Sequence, residues 1–188
     1  MTGVQTCALP IFTLELFDYF DLSDDAKKSA YNEWRKTADY QNRDKIVGSF
    51  QAFCRIFPVQ MVDSYLIKDK YPYVQWKFTD DDELRSLSGT RLWWYLAKEY
   101  GKILYKNETR DICPLTGYYA DYIILNPIYE FLEDNAKFSG DYELLLDACV
   151  DAWSLLCNQD LEQFYSMESF INQCEINNYK FLANGRMF

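Results

Sequence analysis

Acidic side chains at short spacing are the residues of this chain that could do chemistry most directly. Four of them, Asp80–Glu83, stand in a row, and carboxylate oxygens are the ligands that hard divalent cations prefer. The run lacks the alternating ligands and central glycine of a calcium loop. The favoured alternative is the first turn of a short helix that continues through Leu84 and Leu87, and we expect no bound metal.

A second acidic set follows a helical period further along the chain. Glu143, Asp147 and Asp151 are four residues apart, which places them on one side of a helix. Residues 111–188 hold 13 Asp/Glu and 3 Lys/Arg, net −10, which is also the net charge of the whole chain. A concentrated acidic surface repels nucleic acid and attracts basic grooves, whereas a merely solvated face is the equal alternative. We predict that these three carboxylates bind a partner.

Two more segments are candidates for binding. The stretch Cys113–Tyr122 contains Pro and Gly and predicts a structured loop. Polar and aromatic side chains of this loop are candidates for a recognition surface because Tyr is enriched among interface anchors: Tyr118, Tyr119, Asp121 and Tyr122. A basic helix face is a candidate for phosphate contacts, with an ordinary solvated face as the alternative: Arg91, Lys98, Lys102 and Lys106.

Composition argues against several enzyme classes. Histidine is absent, which removes His-based triads, general bases and metal sites together. No phosphate-binding glycine motif occurs, and the six cysteines form no C-x-x-C pair, which favours free thiols in a reducing compartment. No run approaches the roughly eighteen apolar residues that span a bilayer. We therefore expect a cytoplasmic protein that is not an enzyme and needs no cofactor.

The elements that would position these residues predict an α+β fold. Strands are predicted at Thr13–Tyr19, Val59–Ile67 and Tyr71–Phe78, and a β-hairpin at Tyr179–Phe188 around the Asn184-Gly185 turn. About five or six helices pack on this small antiparallel sheet. Helices are predicted after the cap Ser23, over Asp44–Phe57, after Ser88 to Tyr105, after the cap Asn126 with Pro127 first, after Asp141, and after Ser166.

The long helix that follows Asp141 is predicted to organise the core. Its apolar stripe includes Leu145, Cys149, Trp153 and Cys157 at three- and four-residue steps, and a stripe of this width must be buried. Residues 12–188 are predicted to form a single domain. Met1–Ile11 resembles translated sequencing-adaptor sequence, typical of metagenomic assemblies, and we expect it to contribute nothing to the fold.

Both ends of the chain and one central loop resemble small phage and mobile-element accessory proteins. The likeness lies in Phe20–Ala30 with Tyr31 and Trp34, in Phe170–Phe181 with Asn184–Arg186, and in Cys113–Tyr118 with Asn126–Tyr129. The central segments are similar to the branch that includes anti-CRISPR proteins acting on Cas9. These motifs are caps and turns, so no functional residue carries over.

The resemblance implies a phage-encoded inhibitor that binds a guide-RNA-loaded, Cas9-type nuclease in the bacterial cytoplasm, without catalysis and without a membrane. Such nucleases hold nucleic acid in positively charged channels, which an acidic surface would fit. The alternative is a regulatory or antitoxin-like module that contacts nucleic acid through the basic helix face.

Overall fold

A computed structural model of the protein describes residues 14–65, 73–104 and 114–188. Within these residues the fold is mainly helical, with seven α-helices and one two-stranded antiparallel sheet. The predicted α+β class with a small antiparallel sheet is confirmed at this level. The predictions for Met1–Ile11, Lys106 and Cys113 lie outside the described residues.

The elements follow one another in this order: α1 (Asp24–Thr37), α2 (Arg43–Ile56), β1 (Val59–Tyr65), β2 (Tyr73–Phe78), α3 (Asp82–Arg85), α4 (Gly89–Leu104), α5 (Ala120–Glu133), α6 (Tyr142–Phe164) and α7 (Met167–Asn177). Two short 3-10 helices occur at Tyr19–Asp21 and Asn135–Lys137. The described residues divide into two compact units: 14–39 with 164–188, and those between 40 and 163. Whether they are one domain stays a prediction, because a compact unit is not by itself an independently folding domain.

The first unit is built on an aromatic core between α1 and α7. Trp34 of α1 packs on Phe170 of α7 with ring centroids 5.1 Å apart, and its Nε1 donates to Gln173 Oε1 at 3.2 Å. The predicted caps Ser23 and Ser166 are confirmed, because each side-chain oxygen accepts a backbone N–H three residues later. These caps satisfy amides that an α-helix start leaves without an intrahelical acceptor.

The predicted strand Thr13–Tyr19 is wrong in the described residues, and the predicted C-terminal hairpin is not formed as two strands: Phe181 and Met187 make an isolated antiparallel bridge. Phe17 and Phe181 form only an isolated antiparallel bridge, with N–H···O distances of 2.9 Å in both directions, and the last regular element is α7. The Gly185 N–H donates to the Leu182 carbonyl at 2.8 Å, so the turn centres one residue before Asn184-Gly185. Only Gly185 has a positive φ there, whereas a type I′ hairpin turn needs two such residues.

The second unit is organised around α6, as its apolar stripe predicts. Leu145, Cys149, Trp153 and Cys157 are all buried. Trp153 is 1% exposed; its ring lies 4.8 Å from that of Phe50, and its Nε1 donates to the Ile46 carbonyl at 3.1 Å. Burial raises the pKa of the Cys149 and Cys157 thiols, so these thiols stay protonated and pack as small hydrophobes.

The sheet of the second unit pairs β1 with β2 in antiparallel register, Val59 opposite Phe78 and Gln60 opposite Lys77. A β-bulge interrupts the register between Met61 and Asp63. Both strands were predicted, and they are confirmed over Val59–Tyr65 and Tyr73–Phe78. The sheet brings Trp76 of β2 next to α6, which matters for the site below.

The start predicted for α5 is wrong. The helix begins at Ala120, seven residues before Pro127, which therefore lies inside it. A proline in a helix interior removes one backbone hydrogen bond. Proline is therefore favoured in the first turn of a helix, and this preference is the basis of the predicted start. The actual start is fixed by the side chain of Asp121, which binds the preceding loop.

Candidate functional site

The three carboxylates Glu143, Asp147 and Asp151 all lie on α6, in its first three turns. Asp147 and Asp151 are exposed and Glu143 is half-buried. The Asp151 carboxylate makes no hydrogen bond or ion pair to any residue in the described part of the chain. The three side chains are therefore not equivalent, and only Asp151 offers a carboxylate without an internal role.

Glu143 is held by Arg85 at the end of α3. The guanidinium makes a two-pronged contact, with Nε donating to Oε2 at 2.6 Å and Nη2 donating to Oε1. Bidentate pairs of this kind are stronger and more directional than a single contact. The hydrogen bond from Arg85, reinforced by its charge, lowers the pKa of the Glu143 carboxyl. Glu143 thus anchors α3 to the start of α6.

Asp147 is held by the sheet. The indole Nε1 of Trp76 donates to Asp147 Oδ1 at 2.8 Å. The pKa of the Asp147 carboxyl is raised, first by partial burial and then by the negative charges of Asp151, Glu143 and Asp141, against the lowering effect of the Trp76 hydrogen bond. Asp147 therefore carries its charge at a cost that partial burial and, after it, the surrounding carboxylates impose.

Part of the Asp80–Glu83 run also lies next to Arg85, the residue that binds Glu143. Asp81 caps α3 through Leu84 N–H at 2.7 Å, which confirms the short-helix interpretation. Asp82 lies 3.9 Å from Arg85 Nη1. The hydrogen bond to Glu143 raises the pKa of the Arg85 guanidinium, and the charges of Glu143, Asp82 and Asp141 add to that effect. We call five residues the acidic surface: Asp82, Asp141, Glu143, Asp147 and Asp151.

The five carboxylates of the acidic surface outnumber the one guanidinium beside it, that of Arg85, so the surface keeps a net negative charge. Asp141 is also the N-cap of α6, because its Oδ1 accepts the Leu144 N–H at 3.0 Å, as predicted. Within the described residues, no group of three or more carboxylate or thiolate side chains has the geometry to hold a metal ion. The surface is thus suited to charge recognition through separate carboxylates.

The loop predicted at Cys113–Tyr122 is called the tyrosine loop below. Its Asp121 cannot serve as a contact residue. It is fully buried, and its Oδ2 accepts the backbone N–H groups of Leu115, Thr116 and Gly117 at 3.0, 2.5 and 3.0 Å. A buried carboxylate that accepts three amides shapes the loop. The candidate surface of the loop is therefore reduced to its tyrosines.

The loop tyrosines are held by residues that sequence reasoning did not select. Tyr119, which is 40% exposed, donates its hydroxyl to Asp160 Oδ2, and Tyr40 donates to the same oxygen at 2.8 Å. The Tyr118 ring lies 4.5 Å from the Tyr119 ring. Burial and the Asp160 carboxylate raise the pKa of both Tyr40 and Tyr119, so these phenols remain protonated donors.

Tyr122 lies just inside α5. Its ring stacks on that of Tyr129 at 6.3 Å, and it is 37% exposed. Tyr119 and Tyr122 therefore present partly exposed aromatic rings beside the fixed loop, as interface anchors do.

The basic residues predicted on α4 do share one exposed side of that helix: Arg91, Lys98 and Lys102. Lys98 pairs with its neighbour Glu99 at 3.3 Å. Sequence reasoning missed Trp94, which lies among them and is 65% exposed. Its position one turn from Arg91 and one from Lys98 was a readable signal.

Comparison with protein-family models, with curated proteins and with solved structures found no match. Among the residues that the structure describes, no helix is both long enough and apolar enough to cross a membrane. Function must therefore be argued from the surfaces described above.

Proposed function

We propose that this chain is a phage-encoded anti-CRISPR protein that inhibits a Cas9-type nuclease by direct binding, without catalysis. The observation that carries the proposal is the acidic surface: five carboxylates on α3, on the cap of α6 and on α6, of which Asp82, Asp141 and Glu143 act on the Arg85 guanidinium. Nucleases of this class hold their nucleic acid in positively charged channels. A rigid anionic surface presents the charge that such a channel binds.

Two of the five carboxylates in the acidic surface are held in place by other elements of the protein. Arg85 ties Glu143 to α3, and Trp76 ties Asp147 to β2, so part of the negative charge is fixed before a partner arrives. A preorganised surface loses less conformational freedom on binding than flexible side chains do. Complementary charge then increases the association rate, chiefly at low salt.

The tyrosine loop supplies a second contact in this proposal. Tyr119 and Tyr122 are partly exposed and sit beside a loop that Asp121 holds in place. Tyr rings combine a large apolar contact area with a hydroxyl, which is why they recur at the centre of interfaces. The acidic surface would direct the encounter, and the tyrosines would slow dissociation.

The experiment is a cleavage assay with purified guide-loaded Cas9 proteins of several types and a matched DNA target. We expect excess protein to block cleavage by at least one of them and to bind that nuclease in size-exclusion chromatography. Prior incubation with the guide-loaded enzyme should not modify the nuclease, so removing the inhibitor in high salt should restore cleavage. Unchanged cleavage by every Cas9 type at excess protein would refute the proposal.

A further inference from the structure

The exposed face of α4 carries a large aromatic side chain that is not part of the core. Trp94 is 65% exposed, although an indole is costly to leave in water. It makes an edge-on contact with Trp93, with centroids 5.3 Å apart and planes at 88°. Trp93 is anchored, because its Nε1 donates to the Leu132 carbonyl at 2.8 Å. The Trp94 ring is thereby supported by a fixed neighbour.

Cations surround this indole. Arg91 precedes Trp94 by three residues and Lys98 follows it by four, so both are its neighbours on the helix surface. Lys102 extends the same side by one more turn. Within the described residues, Arg91 and Lys102 have no ion-pair partner, and Glu99 is the one carboxylate on α4. This face is positive in a strongly acidic protein.

Small residues keep the indole accessible. Ala97 and Gly101 lie three and seven residues after Trp94, on its own side of the helix. Neither has a side chain long enough to cover the ring. A flat, uncovered aromatic ring beside several cations has the two parts that bind single-stranded nucleic acid: stacking for a base and charge for the phosphates.

We propose that α4 binds single-stranded nucleic acid, with one base stacked on Trp94 and the backbone phosphates along Arg91, Lys98 and Lys102. The cations span about 16 Å of helix axis at 1.5 Å per residue, enough for a few nucleotides. A duplex fits less well, because its bases are stacked on each other and unavailable to the indole. This surface shares no residue with the acidic surface, and the inference does not rest on the proposed function.

The test is fluorescence anisotropy with a labelled twelve-nucleotide oligothymidine, measured from low to moderate salt. We expect saturable binding that Trp94→Ala weakens roughly five-fold or more, in line with the loss of one stacked base. The double change Lys98→Ala/Lys102→Ala should also reduce the salt slope of log K by about 1.4, since each single-strand phosphate contact contributes about 0.7. Circular dichroism checks that each variant is folded.

Matched controls come from exposed residues of the other unit. Phe20→Ala removes an exposed aromatic ring, and Lys28→Ala/Lys36→Ala removes two exposed lysines; both should leave binding unchanged. No binding at low salt, or equal weakening by Trp94→Ala and Phe20→Ala, would overturn the inference. Equally tight binding of polyglutamate, unaffected by Trp94→Ala, would also overturn it and assign the face to an acidic protein partner.

Discussion

Trp76 on β2 donates its indole N–H to the Asp147 carboxylate on α6 over 2.8 Å. This hydrogen bond joins the sheet to the acidic face of the long helix, although the two residues lie far apart in the chain. Asp147 therefore has two roles in the structure, as a hydrogen-bond acceptor and as a charge. As an acceptor Asp147 stabilises the fold, and as a charge it is opposed by its acidic neighbours.

The first prediction separates these two properties. Asp147→Asn keeps an Oδ1 acceptor for Trp76 and removes the charge. Because the pKa of this carboxyl is raised in the folded state, ionising it costs folding free energy as pH rises through that pKa. Asp147→Asn should therefore stabilise the protein by a few tenths of a kcal/mol at pH 7. The gain should disappear below about pH 3, where the unfolded carboxyl is protonated as well.

Urea unfolding at the two pH values measures the effect, with Asp147→Ala as the control that removes the acceptor too. We expect Asp147→Ala to be less stable than Asp147→Asn at both pH values. Equal destabilisation by the two changes at pH 7 would mean that the fold requires the ionised carboxylate.

The second prediction concerns the core of the second unit. Trp153→Ala removes a buried indole together with its hydrogen bond to the Ile46 carbonyl. The loss of burial and the resulting cavity should cost about 3–5 kcal/mol. Trp94→Ala, an exposed indole on α4, should change stability by no more than about 0.5 kcal/mol. Denaturant midpoints of the two variants compare them directly, and similar midpoints would contradict the assigned core.

The third prediction tests the close approach of the C-terminal turn to α1. Gly185 has φ +84°, and a Cβ there would lie 2.0 Å from the Ala26 carbonyl oxygen. Gly185→Ala should cost roughly 3 kcal/mol or more, because backbone strain and a steric clash add together. Gly117→Ala is the matched control: its φ is +83° but nothing lies within 4 Å, so it pays only the strain, about 1–2 kcal/mol. Thermal unfolding with similar losses for both would exclude the clash.

The fourth prediction assigns Asp121 to the loop. Asp121→Asn replaces an acceptor by a group that can turn a donor toward the Leu115, Thr116 and Gly117 amides, and one or more of these would lose its partner. We expect a loss of about 1–3 kcal/mol. Hydrogen exchange of these three amides should accelerate, while the amides of α6 in the same unit stay protected under native conditions. Unchanged exchange at the loop would show that the carboxylate does not hold it.

Local signals in the sequence predicted most of the helices. The caps Ser23, Asp141 and Ser166 and the apolar stripe of α6 are read from neighbouring residues, since capping and the helical period act over a few positions. Trp153 follows from the same stripe. The C-terminal segment forms an isolated bridge and no strands. Its turn differs from the predicted one because Asn-Gly permits a primed turn without forcing it, and only Gly185 has a positive φ there.

The site could be predicted only in part. The spacing of Glu143, Asp147 and Asp151 indicated one helix face, but Arg85 and Trp76 come from other elements, and no period connects them to α6. Asp160, which accepts hydrogen bonds from the hydroxyls of Tyr40 and Tyr119, could not be predicted for the same reason. The sequence placed Asp121 among the recognition residues of the loop, yet its carboxylate accepts hydrogen bonds from three backbone amides.

The central claim is the proposed inhibition of a guide-loaded Cas9, and the association rate with the Cas9 type that responds in the cleavage assay tests it most directly. Asp151→Lys reverses one charge of the acidic surface without removing an internal contact, and Glu33→Lys makes the same net-charge change on an exposed position of α1. Surface plasmon resonance at low and moderate salt should show several-fold slower association for Asp151→Lys only, with the difference shrinking as salt screens the charge. Equal rates for the two variants at low salt would contradict the account.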